Sequence, residues 1–236
     1  MGNGIDGAFA LEVFSQLLGY VPVTLGLAAA SMLLASLLGL AVMFLRWREV
    51  PVLGRLADIY VVVGRALPTL IVLYIVFFGL PVLLLLLSDG QAPSGFNRIP
   101  PLVFAVLGLT LHAGAYLAEI FRTAVQSVDK GQLEAALSVG MTCRQGFCRI
   151  VLPQAAVLAM PLMANQFLGL IKGTSIAFMI TVMELFGAAS VLSSANNRYL
   201  EVYLAVALLY WLVSLFFERV FGLLERKLAF FKGARA

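Results

Sequence analysis

Five runs of apolar residues, near 20–45, 60–87, 100–121, 154–172 and 201–224, govern what this chain can fold into. A helix needs about 20 residues to cross roughly 30 Å of hydrocarbon, and each run reaches or approaches that length. Composition points the same way: 62% of the 236 residues are hydrophobic and 12% are charged, where soluble domains carry about 25% charged residues. Such a chain cannot bury its apolar surface in a water-facing globule. Lipid solvates the side chains while helices satisfy their own backbone groups. The expected unit is one all-α, polytopic membrane domain over residues 1–236, with five transmembrane helices.

Between the fourth and fifth runs lies a shorter apolar stretch, Ile176 to Leu192, containing Glu184, Gly187 and several small residues. It reads as re-entrant or partly embedded rather than as a sixth crossing. The basic residues support an odd number of spans, because short cytoplasmic loops carry the Lys/Arg excess. Arg46, Arg48 and Arg55 follow the first run; Arg122, Lys130, Arg144 and Arg149 follow the third; Arg219, Arg226, Lys227, Lys232 and Arg235 end or follow the fifth. Arg98 and Arg198 are the sparse charges of the other loops. The expected topology has the N-terminus outside and the C-terminus in the cytoplasm. Because the net charge of +4 is spread between spans rather than gathered into a patch, it reads as a topology signal, with no nucleic-acid partner expected. Residues 1–45 contain no Lys or Arg, so no cleavable signal peptide is expected.

The loop from about Arg122 to Pro153 has internal structure. Leu133, Leu137 and Met141 recur at helical spacing and predict one apolar helix face. Asp129 or Ser127 is placed to cap that helix, Gly140 to end it, and Pro153 to open the next span. Cys143 and Cys148 fit neither a redox pair nor a metal site and read as reduced cytoplasmic thiols.

The run Gly131-Gln132-Leu133-Glu134-Ala135-Ala136-Leu137-Ser138-Val139-Gly140-Met141, followed by Leu152-Pro153, resembles the EAA loop of ABC importer permeases. Small side chains at Ala135, Ala136 and Gly140 allow close approach to a partner's groove, and Glu134 can make a charge-assisted bond. An ordinary amphipathic loop helix is the alternative for Glu-Ala-Ala alone; the spacing of Gly140 and Leu152-Pro153 favours the functional reading. Around the loop, Gly114-Ala115-Tyr116, Glu119, Arg122, Gln126-Ser127-Val128, Lys130, Pro153-Gln154-Ala155, Pro161, Asn165 and Lys172-Gly173-Thr174-Ser175 resemble permeases of the polar amino acid and opine uptake group. Arg65-Ala66-Leu67-Pro68 departs from the commoner Arg-Gly-Thr-Pro and looks closer to the opine and basic amino acid branch.

That resemblance implies a type I importer in the bacterial inner membrane. Its partners would be a second permease subunit, identical or homologous, a cytoplasmic ABC ATPase dimer and a periplasmic solute-binding protein, and its substrate an amino acid or opine. Glu134, Ala135, Ala136 and Gly140 would couple the permease to the ATPase. The sequence carries no GxxxxGK[ST] phosphate loop, so ATP hydrolysis is expected in another chain, and no cofactor or metal is expected. A lone secondary transporter or channel is the alternative, although such carriers usually show paired halves and none is visible here.

Charged residues near spans need a reason, because a charge at a helix centre costs about 2.5–3.5 kcal/mol on insertion scales. Arg65, placed within the second run before Pro68, can face the path, snorkel to the interface or pair structurally. Lys172 and Glu184 form a complementary set for a zwitterion, or else an interfacial Lys and a structural acid. Thr174 and Ser175 offer hydroxyls at a broken-helix end. Glu119 and Arg122, three residues apart, are expected to pair on one helix face, and His112 to be a hydrogen-bonded neutral imidazole.

Overall fold

The computed structural model describes residues 6–48, 50–88 and 99–233, with side chains to residue 227. Arg98, Arg235 and Ala236, together with the side chain of Lys232, lie outside the described part. Eleven α-helices occur among the described residues: α1 (Gly7–Leu18), α2 (Val21–Trp47), α3 (Leu53–Ala66), α4 (Thr69–Tyr74), α5 (Leu80–Leu87), α6 (Pro101–Gln126), α7 (Lys130–Ser138), α8 (Cys143–Gly146), α9 (Leu152–Gly173), α10 (Leu185–Asn196) and α11 (Tyr199–Gly233). A π-helical turn, Ile75–Gly79, joins α4 to α5, and a second, Phe147–Val151, joins α8 to α9. A 3₁₀ segment, Thr174–Ile180, continues α9.

Among the described residues five helical runs are long and apolar enough to cross a membrane: Val21–Trp47, Thr69–Leu87, Pro101–Gln126, Cys143–Ile180 and Tyr199–Lys227. The number of spans agrees with the sequence reading, but the second span does not begin at residue 60. Leu67 is extended (ψ 139°) and Pro68 stands before α4. Proline lacks the N–H that a continuous helix would use and disfavours helical geometry in the residue before it. The chain therefore breaks there, and residues 60–66 belong to the separate helix α3. Helix α1, ahead of the first span, was not anticipated. Asp6 caps it by accepting from the Phe9 amide at 3.2 Å.

The core is built on small residues. On α2, Ala28, Ser31, Ala35 and Gly39 are buried along one stripe, and α2 with α6 is the most extensive helix pair among the described residues. A Cβ at Gly39 would lie 2.9 Å from the Ala118 backbone nitrogen and 2.9 Å from Leu117 Cβ. Association of helices in lipid relies on close packing rather than on the hydrophobic effect, which explains this stripe. Large apolar side chains point outward instead: Leu33, Leu37, Leu86, Phe78, Trp211 and Phe216 are all more than half exposed. In water such a surface would drive association; against acyl chains it is solvated.

The stretch from the end of the fourth span to α10 is broken, as its composition suggested. The 3₁₀ segment ends at Thr181, which takes a left-handed conformation (φ 68°), and Glu184 then caps α10. At 12 residues, α10 rises about 18 Å, too short to cross roughly 30 Å of hydrocarbon. It packs on α11 and α1 instead.

Candidate functional site

The loop between α6 and α9 is a folded unit. Asp129 caps α7 by accepting from the Gly131 amide at 2.7 Å. At the other end Gly140 is left-handed (φ 83°), with its amide donating to the Leu137 carbonyl at 3.0 Å and the Met141 amide to the Ala136 carbonyl at 3.1 Å. These paired bonds are a Schellman motif, and glycine at that position adopts the left-handed geometry without a Cβ penalty. Thr142 and Gln145 form a capping box at α8, the Thr142 amide donating to Gln145 Oε1 at 2.9 Å and the Gln145 amide to Thr142 Oγ1 at 3.3 Å.

The apolar face of α7 differs from the one read from Leu133, Leu137 and Met141. Leu133 packs on the core, but Leu137 is 45% exposed and Val139 75% exposed, while Ala136 is buried. The chain leaves helical geometry at Val139, so Met141 does not extend the Leu133–Leu137 face. Gly146 explains the rest: a Cβ there would lie 2.8 Å from Leu133 Cδ1 and 3.2 Å from Ala136 Cβ. Its bare backbone receives both side chains. Of the four proposed coupling residues, Glu134, Ala135 and Gly140 lie on the exposed face, and Ala136 seats α7 against the rest of the loop. Gly146 was missed in the sequence, although the Thr-x-x-Gln capping box could have located the second helix turn. Both cysteines are free and exposed.

Beside the loop lies an ionic cluster. Glu119 pairs with Arg122 on α6, as their spacing suggested. Arg46 from the end of α2 joins them, at 3.0 Å from Glu119 and 2.6 Å from Asp58 of α3. Arg122 also donates to Gln126 at 2.7 Å. Charges read in the sequence as topology signals thus tie three helices together in the fold. His112 Nε2 and Thr69 Oγ1 lie 3.0 Å apart, so the imidazole is hydrogen-bonded.

The remaining candidates separate into two groups. Arg65 lies in the last turn of α3, not inside a span, with its guanidinium 5.7 Å from the Tyr116 ring centroid and its carbonyl accepting from Tyr116 Oη at 3.2 Å. Lys172 is exposed near the end of α9, and Ser175, half-buried, donates to its carbonyl at 2.8 Å. Thr174 and Glu184, by contrast, are fully buried. Thr174 donates back to the Ile171 carbonyl at 2.8 Å. Glu184 accepts from Tyr210 Oη at 2.8 Å, the Gly187 amide at 2.8 Å and Thr24 Oγ1 at 3.3 Å. Thr24 Oγ1 in turn accepts from the Leu185 amide at 3.1 Å. Among the described residues no ion pair joins Lys172 to Glu184. Thr24 and Tyr210, which complete the carboxylate's surroundings, carried no signal of that role in the sequence, because their partners lie 160 and 26 residues away.

Comparison with known proteins finds relatives along nearly the whole chain. The chain is 41% identical to a probable amino-acid permease protein, YxeN, of Bacillus subtilis, over 96% of this chain and 97% of that one. It is 39% identical to the L-cystine transport system permease protein TcyL of Bacillus subtilis, over 97% and 93% of the two chains. The nopaline transport system permease protein NocM of Agrobacterium fabrum is 34% identical, over 94% and 91%. Among solved structures, an amino acid ABC transporter crystallised with histidines superposes with a TM-score of 0.82 at 28% identity, covering 95% of this chain and 99% of that one. The fold and loop described above accord with a match over residues 23–230, by which this chain belongs to the family of binding-protein-dependent transport system inner membrane components.

Proposed function

We propose that this protein is the permease subunit of an ATP-driven importer for polar amino acids or opines, working with a second permease subunit, a cytoplasmic ATPase dimer and a periplasmic solute-binding protein. The carrying observation is α7: a short capped helix that presents Glu134, Ala135, Leu137, Val139 and Gly140 outward while Ala136 and Leu133 fix it to the membrane domain. Small and apolar groups exposed together on a loop, with one acid, suit a partner's groove. The substrate class is supported by the relatives, whose names include amino acid, cystine and nopaline permeases.

In this reading the N-terminus is outside and α7 faces the cytoplasm, where the ATPase seats on it. Arg65 and Lys172, with accessible side chains, are the candidates to meet the substrate, and Ser175 adds a hydroxyl beside Lys172. Thr174 and Glu184 hold the broken-helix end in shape. Purification in mild detergent tests the assembly: the ATPase should accompany the wild-type chain and be lost from Gly140→Trp and Ala135→Arg. Normal ATPase retention and uptake in both variants would refute the coupling role, and transport without ATP by the chain alone would favour a lone carrier.

A further inference from the structure

Helices α6 and α9 are covalently joined to the loop that carries α7, but α2, the main partner of α6, has no such connection. A side-chain contact supplies one. Trp47, the last residue of α2, stacks on Phe147, the first residue of the π-helical turn leading into α9, with ring centroids 4.6 Å apart and planes 25° from parallel. We infer that the Trp47–Phe147 stack is the positioning contact through which displacement of the α7 loop reaches α2. This rests on the coupling role proposed for that loop.

The contact is built from both sides. Phe147 follows Gly146, against which Leu133 and Ala136 of α7 close, so α7 and the start of the π turn are packed as one unit. Phe147 itself packs on the core. On the α2 side, Phe44 meets Trp47 edge-on at 6.4 Å, and the Arg48 guanidinium lies 5.0 Å from the Phe44 ring centroid. One residue before Trp47, Arg46 is held in the opposite attachment, the ionic cluster with Asp58 and Glu119. The end of α2 is thus pinned ionically to α3 and α6 and stacked on the loop. π-Helical turns are rare and occur often at functional sites; here the turn begins at the residue that makes the stack.

Trp47 remains 50% exposed, so the indole is not a core residue. Tryptophan at a helix end also suits a membrane interface. An interfacial anchor has no need of Phe147, however, and that difference makes the inference testable.

The assay uses the full permease assembled with its ATPase and solute-binding protein in proteoliposomes, with a radiolabelled amino-acid mixture as the transported probe. Trp47→Leu and Phe147→Leu should each lower uptake per ATP hydrolysed by about threefold to tenfold, the size expected of one aromatic pair. ATPase retention should be unchanged, and Trp47→Phe and Phe147→Tyr should restore coupling. The chain has two tryptophans, so ¹⁹F NMR of permease labelled with 5-fluorotryptophan reports each separately. The Trp47 resonance should shift when a non-hydrolysable ATP analogue is added, and should no longer shift in Phe147→Leu. Wild-type coupling in both leucine variants, or a Trp47 resonance that ignores the nucleotide or shifts equally without Phe147, would overturn the inference while leaving α7 as the ATPase seat. Retention of the ATPase by Ala135→Arg would instead remove the coupling role of the loop, and this inference with it.

Discussion

Removing the Tyr210 hydroxyl measures what holds the broken-helix region together. Glu184 is fully buried and receives three donors from three places: Tyr210 on α11, Thr24 on α2 and the Gly187 amide of its own helix. Two magnitudes compete. Interhelical hydrogen bonds in membrane bundles average about 0.6 kcal/mol, because the unfolded chain in lipid also finds partners. Leaving a buried acceptor without one of its donors costs about 1–3 kcal/mol. Because Glu184 is fully buried, the larger figure applies to its 2.8 Å Tyr210 bond, so Tyr210→Phe should destabilise the chain by about 1–3 kcal/mol. Thr24→Val should cost at least as much, since it removes a donor to Glu184 and the acceptor of the Leu185 amide together. Both hydroxyls reach the same carboxylate oxygen, Oε2, so the double variant should show a coupling energy of about 0.5–3 kcal/mol. Reversible unfolding of the purified chain in mixed micelles, titrated with SDS and followed by circular dichroism, gives all three values. A Tyr210→Phe cost near 0.6 kcal/mol would mark an ordinary interhelical hydrogen bond. Costs and coupling below about 0.3 kcal/mol, the scatter of independent sites, would refute the clamp.

The other expected outcomes are more local. Gly140→Ala should destabilise the α7 loop by about 1–2 kcal/mol through its left-handed backbone alone, since a Cβ there meets nothing within 4 Å; Gly140→Asn should cost less, as read by proteolysis at the loop. Cys143 is exposed, so in a Cys148→Ser background a membrane-impermeant maleimide should label it only from the cytoplasmic side; labelling from the periplasm would reverse the proposed topology. Asp6 is held below the usual carboxylate range, first by the Arg198 hydrogen bond and then by the Phe9 amide. Its contribution to docking α1 should therefore be present above the ordinary carboxylate pKa and lost as pH falls through the lowered value, seen as faster hydrogen exchange in α1 that Asp6→Asn shows at every pH.

Sequence reading recovered what depends on neighbours along the chain. The length of the apolar runs gave the number of spans, and cap chemistry bracketed α7, offering Asp129 or Ser127 at its start, of which Asp129 is the cap, and Gly140 at its end, because a cap is made by residues a few positions apart. The Glu119–Arg122 pair was legible for the same reason. Pro68 was visible, but the apolar run was taken across it from 60 to 87, and that merged residues 60–66 of α3 into the second span and put Arg65 inside it. What stayed hidden depends on contacts between distant segments. Nothing local shows that Ala136 turns inward, since the space it occupies is made by Gly146 across a turn. Nor does anything local reveal that the acid at 184 is surrounded by Thr24 and Tyr210.

Those hidden contacts matter because the two largest apolar clusters among the described residues are separate. One gathers Leu27, Ala28, Ala35, Leu117 and Ile171 with their neighbours on α2, α6 and α9; the other gathers Val13, Leu17, Leu185, Ala189, Val202 and Leu209 on α1, α10 and α11. Between helices in lipid there is little hydrophobic force to select one packing over another, since acyl chains solvate leucine as well as leucine does. Directional bonds can select it. Glu184 lies where the clusters meet, with Thr24 on the α2 side and Tyr210, whose ring packs against both clusters, on the other. A leucine at 184 could fill the space but could not distinguish one rotation of α11 from the next. The carboxylate can, because only one rotation brings the Tyr210 hydroxyl within reach, and the 3₁₀ segment carrying Thr174 and Ser175 is then held at a fixed place beside Lys172.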